Sequence, residues 1–147
     1  MSTTIRLEHD YGGGTTADRL FEVATDWDCL RESVKGLIEY RDLPDAPICQ
    51  GQVIRTAFSL FGLLPWQDWT MEVREFDEEK RRVVSHEFGG AVKAWDHTLT
   101  VAPTDDGARL VDLIFIEAGA LTPVYAAWGR FMYGRRHRPR MRMLGLE

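Results

Sequence analysis

The sequence predicts an α+β fold in which a seven-stranded antiparallel sheet wraps around a long C-terminal helix, with two short helices after strand 1. Three observations lead there. Seven separate stretches carry the apolar–polar alternation of half-buried strands, and six of them follow one another from Leu37 onward with turn signals between them. After Ala120 the apolar period changes from two to 3.6 and stays there. The chain has 147 residues, 44% of them hydrophobic and 28% charged, which suits one globular domain with a sizeable core over residues 1–147.

The elements follow in order. "TIRLEHDY" places Ile5, Leu7, His9 and Tyr11 on one face of a first strand, which "GGG" at 12–14 ends. Thr15 with Asp18 has the spacing of a helix start, followed by the apolar stripe Leu20, Phe21 and Ala24. Asp26 caps a second short helix carrying Trp27, Leu30 and Val34, with Gly36 as its stop. The six further strands are "LIEYRDL", "GQVIRTAFSLF", "WQDWTMEVREF", "RVVSHEF", "KAWDHTLTVAP" and "ARLVDLIFIEAG". Thr122 is expected to cap the last helix with Pro123 at its first position. Val124, Trp128, Phe131 and Met132 form its apolar stripe, and Pro139 should kink or end it.

Charge and motifs exclude several functions. A net charge of −5 does not suit a protein that coats nucleic acid, so no specific nucleic-acid partner is expected. The arginines 130, 135, 136, 138, 140 and 142 are crowded near the C-terminus and read as the solvated end of a helix, or alternatively as a patch for anionic lipid or RNA. The N-terminus lacks a secretory signal, and the longest apolar run is far shorter than the ~20 residues that span a bilayer, so a cytoplasmic location is expected. Cys29 and Cys49 make no metal-like cluster and are expected to be free thiols. No Walker loop, dinucleotide fingerprint, HExxH or G-x-S-x-G stretch occurs, so neither a metal nor a cofactor is expected.

The chemistry-bearing stretch is "AWDHTLTV", where Trp95, His97, Leu99 and Val101 share a face. If "TDDG" forms a short hairpin, Leu110, Asp112, Ile114 and Ile116 fall on that same face, with Asp112 opposite or diagonal to His97 and within about 8 Å of it. A carboxylate there fixes the tautomer of the imidazole, and the pair could anchor a ligand, move protons or merely satisfy itself in the core. His97 and Asp112 are therefore weak catalytic candidates. Trp69 and Met71 share a face of their strand, and Trp128 and Met132 face the sheet from the helix. Arg55 reads as outward; His86, Tyr40 and His9 are ambiguous. Alternate meander turns lie at the same end of a sheet, so the turn carrying Leu63 and Leu64 should neighbour Gly89 and Gly90.

The segment "FGGAVKAWDHTLTVAPTDDGARLVDLIFIEAG", with its aromatic-x-His strand, "DDG" turn and strand bearing Asp112, resembles the START-like superfamily, also called SRPBCC. That superfamily includes the major birch-pollen allergen, lipid-transfer domains and polyketide cyclases. Element order extends the resemblance over the whole chain, and locally it is similar to the bacterial polyketide cyclase/dehydrase and lipid-transport branch. The resemblance implies a helix-grip fold with a deep, largely apolar cavity between sheet and C-terminal helix. Its ligand would be a lipid, quinone or polyketide-like molecule held by Trp69, Met71, Trp95, His97, Leu99, Asp112, Ile114, Trp128 and Met132. The turns at Leu63, Leu64, Gly89 and Gly90 would flank the entrance. A carrier or binding protein is the first expectation, a cyclase, aromatase or dehydratase the second, and an interaction module using the apolar turn and arginine-rich end the third. Transient membrane contact and a monomer or homodimer accord with these readings.

Overall fold

The computed structural model describes residues 1–146. Strand β1 (Ser2–Tyr11) leads into helices α1 (Ala17–Ala24) and α2 (Trp27–Ser33). The meander follows as β2 (Ile38–Arg41), β3 (Val53–Leu60), β4 (Gln67–Asp77), β5 (Arg82–Gly89), β6 (Val92–Pro103) and β7 (Ala108–Glu117). A short 3₁₀ turn, Gly119–Leu121, then delivers α3 (Thr122–Arg135) and α4 (His137–Met143). The seven strands form one antiparallel sheet in the order β1-β7-β6-β5-β4-β3-β2, so the first strand closes against the last.

The predicted alternation sets the buried face. On β7, Leu110, Asp112, Ile114 and Ile116 are all fully buried, and on β4 Trp69, Met71 and Val73 turn inward. A bulge between Val73 and Glu75 bends β4, which helps the sheet curve around the helices. α3 packs on β1 and β7, α1 on β6 and β7, and α2 on α4 and β2. Gly129 makes the α3 approach possible, because a Cβ there would stand only 3.0 Å from Ile5 and 3.1 Å from Trp95. Gly89 is required by an even closer approach: its Cβ would lie 2.3 Å from the Asp68 carbonyl oxygen.

Five local expectations are corrected. The α1 cap is Thr16, whose hydroxyl accepts the Arg19 N–H at 3.1 Å, one residue later than the Thr15–Asp18 spacing implied. Asp26 does cap α2, accepting the Cys29 N–H at 2.9 Å. Thr122 lies inside α3 rather than capping it. It is fully buried, and its hydroxyl accepts the Ala118 N–H at 3.0 Å and donates to the Gly119 carbonyl at 2.7 Å, while Leu121 takes the cap position. The C-terminal helix breaks at Arg136, not at Pro139; the proline occupies the third position of α4, where no intrahelical N–H partner is needed.

The fourth correction matters most for function. The arginine-rich end is not uniformly solvated: Arg136 and Arg140 are 6% and 3% exposed, while Arg130, Arg135, Arg138 and Arg142 remain outside. Helical periodicity explains the split, since Arg136 and Arg140 continue the row begun by Trp128 and Met132 at intervals of four. Val124 and Phe131, expected in the apolar stripe, are instead 63% and 47% exposed.

Candidate functional site

Two partly open chambers lie between the sheet and the helices. The larger, of about 340 Å³, is walled by Phe58, Trp69 and Trp95 from the sheet and by Tyr125, Trp128 and Met132 from α3. Its rings interlock edge to face: Phe58 against Trp69 at 5.5 Å, Trp69 against Trp95 at 6.4 Å, and Tyr40 against Phe58 at 6.4 Å. The smaller, of about 100 Å³, is lined by Met71, Ser85, His97 and Leu99 on the sheet side and by Trp27 and Leu30 of α2. Tyr40, Glu87, Tyr133 and Arg136 line both chambers and so stand between them. A wider groove of about 590 Å³ runs outside α1 and α2, but Asp18, Glu22, Asp26, Asp28 and Glu78 make its lining unsuited to an apolar molecule.

The β6–β7 register pairs His97 with Ile114, which puts Asp112 on the diagonal of the same face. His97 Nε2 lies 2.6 Å from Asp112 Oδ1, while Asp112 Oδ2 is buried without a hydrogen-bond partner. Burial pushes the Asp112 carboxyl up. The hydrogen bond and charge of His97, with Arg140 and Arg136 behind them, outweigh burial and hold it below its usual range. The Tyr133 ring meets His97 edge-on at 5.0 Å, and its hydroxyl oxygen accepts the Trp95 Nε1–H at 3.2 Å. Glu87 accepts from Trp69 Nε1 at 3.0 Å through one oxygen and from Ser85 Oγ at 2.9 Å through the other.

The expected site residues are thus distributed. Trp69, Trp95, Trp128 and Met132 line the larger chamber, and Met71, His97 and Leu99 the smaller. Asp112 and Ile114 line neither; both are fully buried behind the wall, so Asp112 acts on the cavity only through His97. Leu63 and Leu64 are 87% and 48% exposed on the β3–β4 turn, and Gly89 and Gly90 form the β5–β6 turn beside it, linked by Gln67 Nε2 donating to the Gly89 carbonyl at 3.4 Å. Gln67 in turn lines the larger chamber, and Phe61 of the first turn packs on Trp128 at 5.8 Å. Arg55 is exposed, and His86 bonds Asp96 on the outer face of the sheet. His9 stacks on His137 of α4 at 5.1 Å.

Sequence reasoning missed Glu87, Tyr133 and Arg136 and left Tyr40 undecided. For Arg136 a signal existed in its spacing from Met132. For Glu87 there was none, because both faces of β5 are mixed and only its pairing with β6 turns Val83, Ser85 and Glu87 inward. The Cys29 thiol is pushed up to about 11 by burial and by neighbouring Asp26, which leaves it unreactive at neutral pH. Among the described residues, no group of three or more His, Cys, Asp or Glu is placed to hold a metal ion, and no helix is long and apolar enough to cross a membrane.

A seven-stranded sheet gripping a C-terminal helix defines the helix-grip fold, and solved structures share it. Ara h 8.0201 aligns at a TM-score of 0.72 with 13% identity, covering 99% of each chain. The ZhuI aromatase/cyclase from Streptomyces sp. R1128 aligns at 0.69 with 18% identity, covering 97% of this chain and 94% of its own. Protein CV1439 from Chromobacterium violaceum aligns at 0.72 with 19% identity, covering 92% and 95%. Within that fold, the chain belongs to the family described as Domain of unknown function (DUF8410), whose model matches residues 35–144. No curated protein matches the sequence.

Proposed function

We propose that this protein is a cytoplasmic, single-domain carrier or binding protein for a hydrophobic small molecule, such as a lipid, quinone or polyketide-like compound. The observation that carries the reading is the larger chamber, about 340 Å³ of largely aromatic and aliphatic wall. Apolar burial supplies the affinity there, and the few polar groups between the chambers select the ligand. The exposed Phe61, Leu63, Leu64, Trp66, Leu121 and Val124 cluster on the β3–β4 turn and the start of α3, an apolar rim suited to transient contact with a lipid surface during exchange. Native mass spectrometry of freshly purified protein, followed by solvent extraction, tests the reading. A discrete bound mass that disappears in Met132→Trp supports it; apo protein that also fails to take up any apolar probe overturns it.

A second reading, a cyclase or dehydratase, is favoured by one specific feature. His97 lines the smaller chamber with its Nε2 engaged by Asp112, leaving Nδ1 to exchange a proton with a bound chain. Under that reading His97→Gln abolishes turnover of a reactive polyketide-like substrate while retaining its binding. Under the carrier reading His97→Gln alters retention alone.

A further inference from the structure

Arg136 stands where the two chambers meet, and it lacks a counter-ion there. Its side chain is 6% exposed and its Nε has no hydrogen-bond partner. The neighbours of its guanidinium are the Met132 sulfur, 3.7 Å from Nη2, and the Tyr133 ring, 4.3 Å from Cζ. Among the described residues no carboxylate lies within ion-pair distance of it. Glu87 lines the same chambers from the sheet side, but both its oxygens are already taken by Trp69 and Ser85. Asp112 turns its bonded oxygen to His97. A permanently charged, planar donor stripped of water and faced only by sulfur and a ring is a built half of an ion pair.

We propose that Arg136 is the head-group site of the cavity and that the ligand is an amphipathic carboxylic acid, its carboxylate on the guanidinium and its apolar body in the larger chamber. This rests on the reading of the cavity as a hydrophobic binding site and names the class of molecule it takes. Two phenols stand beside the head group. Tyr133 accepts from Trp95 through its oxygen and so has its own proton left to donate, and Tyr40 lines both chambers. Burial pushes Tyr40 up to about 12 and raises Tyr133 as well, so both stay neutral donors. One unpaired guanidinium with Glu87 nearby suits a single negative charge and disfavours a phosphate dianion.

Calorimetric titration with two matched probes, 2-naphthoate and 2-naphthylmethanol, tests the inference at neutral pH. The wild type is expected to bind the acid at least about tenfold more tightly than the alcohol. Arg136→Met removes that preference and keeps the alcohol affinity, whereas Arg140→Met, whose side chain lines neither chamber, retains the preference. Equal affinity for the two probes in the wild type, a result that needs no variant to fold, overturns the carboxylate assignment and leaves the cavity reading standing. So does an acid preference that survives in Arg136→Met. Failure of both probes to bind overturns the cavity reading and this inference with it.

Discussion

His97 and Asp112 are joined across β6 and β7 by a 2.6 Å hydrogen bond in which only the histidine touches the cavity and the carboxylate is fully buried behind it. The pair is a wall with a charged backing. The buried carboxylate also balances Arg140, whose charge, ahead of that of Arg136, helps hold it ionised. Asp112→Ala therefore strands His97 Nε2 and the charge of Arg140 and should cost about 3–5 kcal/mol of stability. Asp112→Asn keeps the shape and one acceptor and should cost about 1–3 kcal/mol. Urea denaturation followed by tryptophan fluorescence measures both, and equal midpoints for Asp112→Ala and wild type would remove the charge-balancing role.

Acid sensitivity follows from three groups. Asp112 has a folded-state pKa below its ordinary value, so its contribution to stability is present above about pH 4 and is lost as pH falls through the lowered value. His9 and His137 are also depressed, chiefly by burial, with Arg140 and, for His137, its stacked partner adding to it. The unfolded chain protonates these imidazoles near pH 6.5, whereas the folded chain resists until lower pH. Stability should therefore decline as pH falls below about 6.5. Urea midpoints measured between neutral pH and pH 5 should show this slope, and His9→Gln with His137→Gln should flatten it.

The β5–β6 turn tolerates no side chain at its first glycine. A Cβ on Gly89 would stand 2.3 Å from the Asp68 carbonyl oxygen and 2.8 Å from the Trp69 ring. Gly89→Ala should cost about 1–3 kcal/mol and displace Trp69, a wall of the larger chamber. Thermal denaturation gives the first effect and the wavelength of tryptophan emission the second.

The rim separates stability from exchange. Leu63 and Val124 are 87% and 63% exposed, so Leu63→Ser with Val124→Ser should leave stability within about 0.5 kcal/mol of wild type. Their loss should slow transfer of an apolar ligand from phospholipid vesicles. Unchanged transfer rates in the double variant would remove the rim from the exchange route.

Period-two alternation made all seven strands legible, and the "TDDG" turn was enough to bring Asp112 onto the diagonal of His97. Local patterns failed where tertiary contact decides. Thr122 has the composition of a cap yet spends its hydroxyl inside the 3₁₀ turn. Phe131 sits at helical spacing beside Trp128 but faces outward, because the sheet covers only one side of α3. The arginines showed the largest gap. Charge density reads as solvation along a sequence, while the break at Arg136 turns two of six arginines into the interior.

The ring of Tyr133 has a consequence beyond its hydrogen bond with Trp95. It touches His97 on one side and Trp95 on the other and borders both chambers, which makes it a bulkhead across one longer hold. With Tyr40, Glu87 and Arg136 it divides the space between sheet and helices into its two parts. A chain of the same fold with a small residue at that place would have a wider passage between the two spaces, with no strand altered.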